Sequence, residues 1–181
     1  MKIEHTPLRD CFVLQPRVFN DERGIFYETY NRNNFKNVTG LDTDFVQDNQ
    51  SVSSYGVLRG LHFQRGKMAQ AKLVRVIKGR VLDIIVDLRK DSKTFGKQYS
   101  IVLDDVEHKQ LFVPRGFAHG FITLSKSSIF AYKCDNFYDA ASESGIIYND
   151  KILAIDWQLP SKDLVISEKD LQLPAFKVVT S

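Results

Sequence analysis

Apolar residues in this chain come in short bursts divided by turn residues: "CFVLQPRVF", "GIFYETY", "AKLVRVIKGRVLDIIVDLR", "YSIVLD", "KQLFVPRGFAHGFITL" and "SIFAYKC". These bursts are rich in Val, Ile, Phe and Tyr, which suit a pleated surface, so each predicts a strand. Between Lys72 and Leu88 the apolar residues fall on both parities, as expected of strands covered on both faces, and Lys78-Gly79 in the middle predicts a hairpin turn. Only "NRNNFKNVTG" predicts a short helix, with Gly40 as its C-cap. Many short strands and little helix predict an all-β sandwich, jelly roll or barrel. The segment after about residue 150, "ILAIDWQLPSKDLVISEKDLQLPAFKVV", carries Pro160 and Pro174 and keeps no period, so it is expected to wrap the barrel surface.

Length and composition narrow this picture. The 181 residues suffice for one well-buried domain, 1–181, with residues 151–181 as its wrap, and 43% hydrophobic with 26% charged residues is ordinary for a globular protein. A net charge of +3, with the two signs interspersed, gives no support for a nucleic-acid surface. No apolar run approaches a membrane span, and "MKIEHTPLRD" lacks the apolar core of a signal peptide, which makes a cytoplasmic location the expectation. Cys11 and Cys134 lie far apart in apolar surroundings, without metal-site spacing, and are expected to be buried free thiols.

The chemistry-bearing residues interrupt these strands. In "VLRGLHFQ" a regular strand would send Arg59 and His62 to opposite faces. A bulge at Gly60 would flip the parity and aim both into one cavity. "VPRGFAHGF", with its Pro-x-Gly-x-x-His119 spacing, resembles the second motif of the cupin β-jelly rolls. In many cupins that histidine binds metal with a His-x-His pair, but here His62 is followed by Phe63 and Gln64. His5 and His108 sit in polar contexts and supply no replacement, so a three-ligand metal site is not expected. Tyr132 alternates with Phe130 and Cys134 on one strand face, and Lys72 opens "KLVRV". His62, Tyr132 and Lys72 together form a candidate base, acid and oxyanion stabiliser for proton transfer beside a carbonyl.

Six blocks in order, "DERGIFYETY", "FVQDNQSVSSYGVLRGLHFQ", "AQAKLVRVIKGRVLDIIVDLR", "FVPRGFAHGF", "YKCDNFYD" and "SEKDLQLP", resemble the dTDP-4-dehydrorhamnose 3,5-epimerase family over about residues 2–175. The resemblance implies a cupin jelly roll (double-stranded β-helix) with a few short helices, without metal or cofactor, dimeric through exchanged N-terminal strands. It implies a dTDP-linked 4-keto-6-deoxyhexose as substrate. By the same resemblance His62 is the base, Asp170 its orienting partner, Tyr132 the acid on the other side and Lys72 the donor to O4. Arg23 and Arg59 would hold the diphosphate, since arginine offers paired donors to phosphate oxygens. Phe26, Glu28, Gln47, Asp48 and Asn49 would line the nucleotide and sugar pocket, with Tyr138 against the base and His119, Glu143 and Lys169 touching substrate. Arg23, Phe26 and Glu28 would complete the site of the partner subunit. Where the family has Trp-x-Asp-Pro and Asp-Trp-Pro, this chain reads "YNDK" from Tyr148 to Lys151 and "DWQ" from Asp156 to Gln158, both outside the candidate catalytic set. The sequence leaves three other readings: an epimerase of C5 alone or C3 alone, a non-catalytic nucleotide-sugar-binding cupin, and a metal-dependent cupin.

Overall fold

The computed structural model describes residues 1–180 as thirteen strands and a few short helices. In chain order the strands are β1 (Lys2–His5), β2 (Phe12–Gln15), β3 (Val18–Asp21), β4 (Gly24–Tyr27), β5 (Gln47–Ser54), β6 (Leu58–Gln64) and β7 (Lys72–Lys78). They continue with β8 (Arg80–Asp87), β9 (Gln98–Asp104), β10 (Gln110–Val113), β11 (Phe117–Thr123), β12 (Ser127–Cys134) and β13 (Glu143–Gly145). Two sheets face each other: a six-stranded one in the order β1-β2-β10-β7-β12-β5, and a five-stranded one in the order β13-β6-β11-β8-β9. All pairings between these strands are antiparallel, and among the described residues β3 pairs only with β4 in a separate hairpin. This is one of the all-β forms that the pattern predicts, and the jelly roll that the family resemblance implies.

Alternation explains how the layers stack. Val74, Val76, Leu111, Val113 and Phe130 of one sheet meet Val81, Ile85, Leu103, Phe117 and Phe121 of the other in the inner core. The opposite parity of β8, Leu82, Ile84 and Val86, is covered from outside by Trp157 and Phe176 of the C-terminal segment. Leu14, Leu73 and Phe112 on the back of the six-stranded sheet are covered by Phe35 of α1 (Arg32–Thr39). Both central strands are therefore apolar on two faces, as their sequence implies.

α1 ends as its sequence predicts: Gly40 adopts a left-handed φ of 75° and donates its N–H to the Lys36 carbonyl, while Asn31 caps the start. The Lys78-Gly79 turn differs from its expected role. Gly79 does reverse the chain at φ 83°, but β7 pairs with β10 and β12 while β8 pairs with β11 and β9, so the turn carries the chain from one sheet to the facing one. Cys11 and Cys134 are buried free thiols, and burial pushes the Cys11 thiol up to about 12. No helix of the described residues is long and apolar enough to cross a membrane.

Candidate active site

The irregularity at Gly60 builds the site. His62 pairs with His119 and Arg59 with Phe121, so Gly60 and Leu61 together stand opposite the single residue Gly120. This is the two-against-one count of a bulge. Leu58 and Leu61 consequently both enter the outer core, while Arg59 and His62 both line one inner cavity of about 250 Å³. Gly60 has φ 131°, and a Cβ there would stand 2.5 Å from the Gly120 Cα, so only glycine fits this close crossing of β6 and β11.

The cavity collects residues from both sheets. The five-stranded sheet supplies Arg59, His62 and His119; the six-stranded sheet supplies Ser51, Lys72 and Tyr132. Asp170 enters from α2 (Glu168–Leu171), a one-turn helix capped by Ser167, whose side chain accepts from the Asp170 N–H. His62 Nε2 lies 2.8 Å from Asp170 Oδ1, and Asp170 Oδ2 accepts the Gly60 N–H at 3.3 Å. Burial by itself would raise the Asp170 carboxyl, but the His62 contact and the Gly60 and Ser167 donors outweigh it and hold the group below its ordinary value.

Across the cavity, Tyr132 is held above its usual range, chiefly by burial, and so keeps its phenolic proton. Lys72 has its Nζ 5.7 Å from the Tyr132 ring centroid and no carboxylate within ion-pair distance among the described residues. Burial lowers its pKa, partly offset by Cys134, Asp83 and Glu143. Arg59 is steadied by a 3.2 Å bond from Nε to Ser53 Oγ and likewise has no acidic partner, leaving its guanidinium for an anionic ligand.

A second set of the expected residues forms a connected border. Tyr138 donates its N–H to Gln47 and its hydroxyl to Glu143 at 2.8 Å; Glu143 also accepts Lys169 Nζ at 2.6 Å. Gln47 in turn donates to Asn49 at 3.1 Å, on the same inward parity of β5 as Ser51 and Ser53. Because Glu143 pairs with Gln64 and Gly145 with His62, this border runs beside the base.

Four other expected residues are brought neither to the cavity nor to this border within one chain. Arg23 and Phe26 lie on the exposed β3–β4 hairpin and line a separate surface hollow with Phe19, Asp21 and Ile25. Arg23 pairs there with Asp21 at 2.6 Å. Glu28 accepts from Asn31 and Asn34 at the start of α1. Asp48 takes the opposite parity from Gln47 and Asn49, so it points to the outer face and pairs with Lys133 at 2.9 Å. Sequence reasoning in turn missed Ser51, Ser53, Ser167 and Asp83. The capping spacing Ser-x-x-Asp in "SEKD" could have marked Ser167; nothing local marks Asp83. No group of three or more metal-ligating side chains occurs among the described residues.

Comparisons with known proteins agree with this architecture. The sequence profile for dTDP-4-dehydrorhamnose 3,5-epimerase matches residues 5–178. The Escherichia coli K12 dTDP-4-dehydrorhamnose 3,5-epimerase is 48% identical over 96% of this chain and 93% of its own length. The crystal structure of the enzyme of that name from Elizabethkingia anophelis superposes with a TM-score of 0.95 at 56% identity, covering 100% of this chain and 99% of the other. A Legionella pneumophila dTDP-6-deoxy-D-glucose-3,5-epimerase, solved in complex with dTDP-4-keto-L-rhamnose, gives 0.94 at 40% identity over 98% and 94% of the two chains. Sequence, fold and the residues gathered in the cavity lead to one conclusion: the chain belongs to the dTDP-4-dehydrorhamnose 3,5-epimerase family.

Proposed function

We propose that the chain inverts C3 and C5 of dTDP-4-dehydro-6-deoxy-D-glucose, giving dTDP-4-dehydro-L-rhamnose. The observation that carries this reading is that His62 of the five-stranded sheet, paired with Asp170 of α2, faces a half-buried tyrosine and a lysine of the six-stranded sheet across a single cavity. Hydrogens on C3 and C5 flank the C4 ketone, so loss of either one leaves an enolate with its charge on O4. His62 takes the proton, and Asp170 accepts the His62 Nε2–H and favours the imidazolium that results. Lys72 donates to O4 where the charge develops. Tyr132, protonated at neutral pH and set on the opposite wall, returns a proton from the other face and so completes inversion.

Arg59 would take the diphosphate, and the border of Gln47, Asn49, Tyr138, Glu143 and Lys169 the nucleotide and sugar. The assembly would be a homodimer with exchanged N-terminal strands, in which Arg23, Phe26 and Glu28 of each chain complete the partner's site. The exposed Phe19, Ile25 and Phe26 of the hairpin support that reading, since an apolar patch of this kind calls for a cover. We place the enzyme in the cytoplasm, a reducing compartment suited to its two free thiols.

Incubation with the 4-keto nucleotide sugar in deuterated water tests the reaction. Label is expected at both C3 and C5 of the product; label at one carbon only means a single-centre epimerase, and binding without exchange means no epimerase at all. In Tyr132→Phe, exchange is expected to persist in part while completed inversion fails.

A further inference from the structure

His119, which the family resemblance sets against substrate, lines the cavity as half of a second histidine–carboxylate pair, and the reaction just described gives no role to its carboxylate. His119 stands directly opposite His62 across β6 and β11, and its Nε2 lies 2.9 and 3.1 Å from the two oxygens of Asp83. Asp83 is fully buried in the middle of β8, among Leu82, Ile84 and Ile85, and among the described residues His119 is the only side-chain hydrogen-bond partner of its carboxylate. A carboxylate left alone in such a place is strongly destabilising, because burial removes its hydration, so its presence calls for a reason.

Both carboxylate oxygens lie within hydrogen-bond distance of the one ring nitrogen, the arrangement of two acceptors sharing one N–H, which places a proton on Nε2. The other ring nitrogen, Nδ1, has no hydrogen-bond partner among the described residues. It is also absent from the sealed, unpartnered side-chain atoms of the described residues, which are Ser51 Oγ, His108 Nδ1 and Gln110 Oε1. Since His119 lines the cavity, Nδ1 is the nitrogen that a ligand can reach. The ring is further held by stacking on Phe130, with centroids 6.1 Å apart.

We infer that Asp83 is a positioning residue: it holds the Nε2–H of His119 so that bare Nδ1 faces the cavity and accepts a hydrogen bond from a hydroxyl group of the sugar. The two walls then divide the substrate's oxygens. Lys72, a donor only, suits the ketone oxygen, and Nδ1 of His119, an acceptor, suits a hydroxyl and rejects the ketone. The hydroxyl half of this inference rests on the nucleotide-sugar reading above; the Asp83–His119 half does not.

Nitrogen-15 NMR of the unmodified chain at a pH of about 8, where an ordinary histidine is neutral, tests the second half without any activity. His119 is expected with its proton on Nε2 and none on Nδ1; a proton on Nδ1 overturns the inference. Asp83→Asn removes the constraint, because an amide can donate or accept. With the full sugar, kcat/KM for exchange at C5 is expected to fall by about tenfold to a hundredfold. With one of the 2-deoxy and 3-deoxy analogues that loss should shrink to within about twofold, as should the further loss on adding Asp83→Asn to His119→Gln. An undiminished loss with both analogues, or in the His119→Gln background, overturns it. If Asp83→Asn fails to fold, the spectrum of the unmodified chain still decides. An unmodified chain that exchanges neither carbon defeats the epimerase reading and leaves the tautomer measurement standing.

Discussion

Gly60 and Gly120 cross so closely that a methyl group on Gly60 would stand 2.5 Å from the Gly120 Cα and 2.9 Å from the His119 carbonyl oxygen. Neither atom is the end of a flexible side chain, so nothing can give way cheaply. The positive φ of 131° adds strain for any other residue. Gly60→Ala is therefore expected to destabilise the fold by at least about 2 kcal/mol, read as a lower urea midpoint. It should also remove activity in whatever fraction folds, because the same crossing aims Arg59 and His62 inward. Wild-type activity in a folded Gly60→Ala protein would detach the bulge from the site.

The His62–Asp170 contact makes a separate prediction about pH. Asp170 is depressed in the folded chain, so the stability its charge contributes is present above the ordinary carboxylate range. That stability is lost only as pH falls through the lower folded value. The carboxylate side of the dyad should thus survive into mildly acidic solution. Asp170→Asn keeps the shape but loses the acceptor-only partner, and proton exchange at C3 and C5 should drop by about a thousandfold with little change in KM. An exchange rate near wild type would remove Asp170 from the mechanism.

How far the sequence reveals this site depends on the range of the interaction. A glycine between Arg59 and His62 in a strand is a local signal, and it locates the bulge correctly. The alternation of β5 was equally legible and argues against Asp48 as a cavity residue, since its neighbours Gln47 and Asn49 take the inward parity. The Lys78-Gly79 turn announces a reversal of the chain but not whether the two strands pair or lie in facing sheets, because that choice is made by β10, β11 and β12 far away in sequence. Asp83 was invisible for the same reason: within "VLDIIVD" it reads as a polar residue in an apolar run, and its partner is 36 positions distant.

Acid should unfold the protein partly through Asp87. Burial alone would raise this carboxyl, yet hydrogen bonds from Arg89, Ser92 and Thr94 hold it at about 2. A depressed folded value means that the contribution is complete above the ordinary value of 3.8 and is lost between there and about 2. Those three side chains tie the loop after β8 to the core, and Arg89 also reaches Asp10 at 3.0 Å, near the N-terminus. Asp87→Asn should cost about 2 kcal/mol at neutral pH and flatten the stability loss below pH 4 or so, measured by denaturant titration across that range. An unchanged acid limb would assign the loss to other carboxylates.

The β3–β4 hairpin permits a test of the shared site that needs no structure of the complex. Arg23 stands on an exposed hairpin and His62 in the inner cavity, and within one chain no contact joins them. If each chain lends its hairpin to the other, Arg23→Ala and His62→Ala homodimers are both inactive. Mixing and refolding the two variants then creates heterodimers in which one site has an intact His62 from one chain and an intact Arg23 from the other. Random mixing should restore roughly a quarter of the wild-type rate, since half the dimers are mixed and each carries one complete site. The second site of the same heterodimer carries both defects and contributes nothing. A mixture as inactive as its components would mean that Arg23 serves its own chain or no site at all, and the exchange of N-terminal strands would lose its functional purpose.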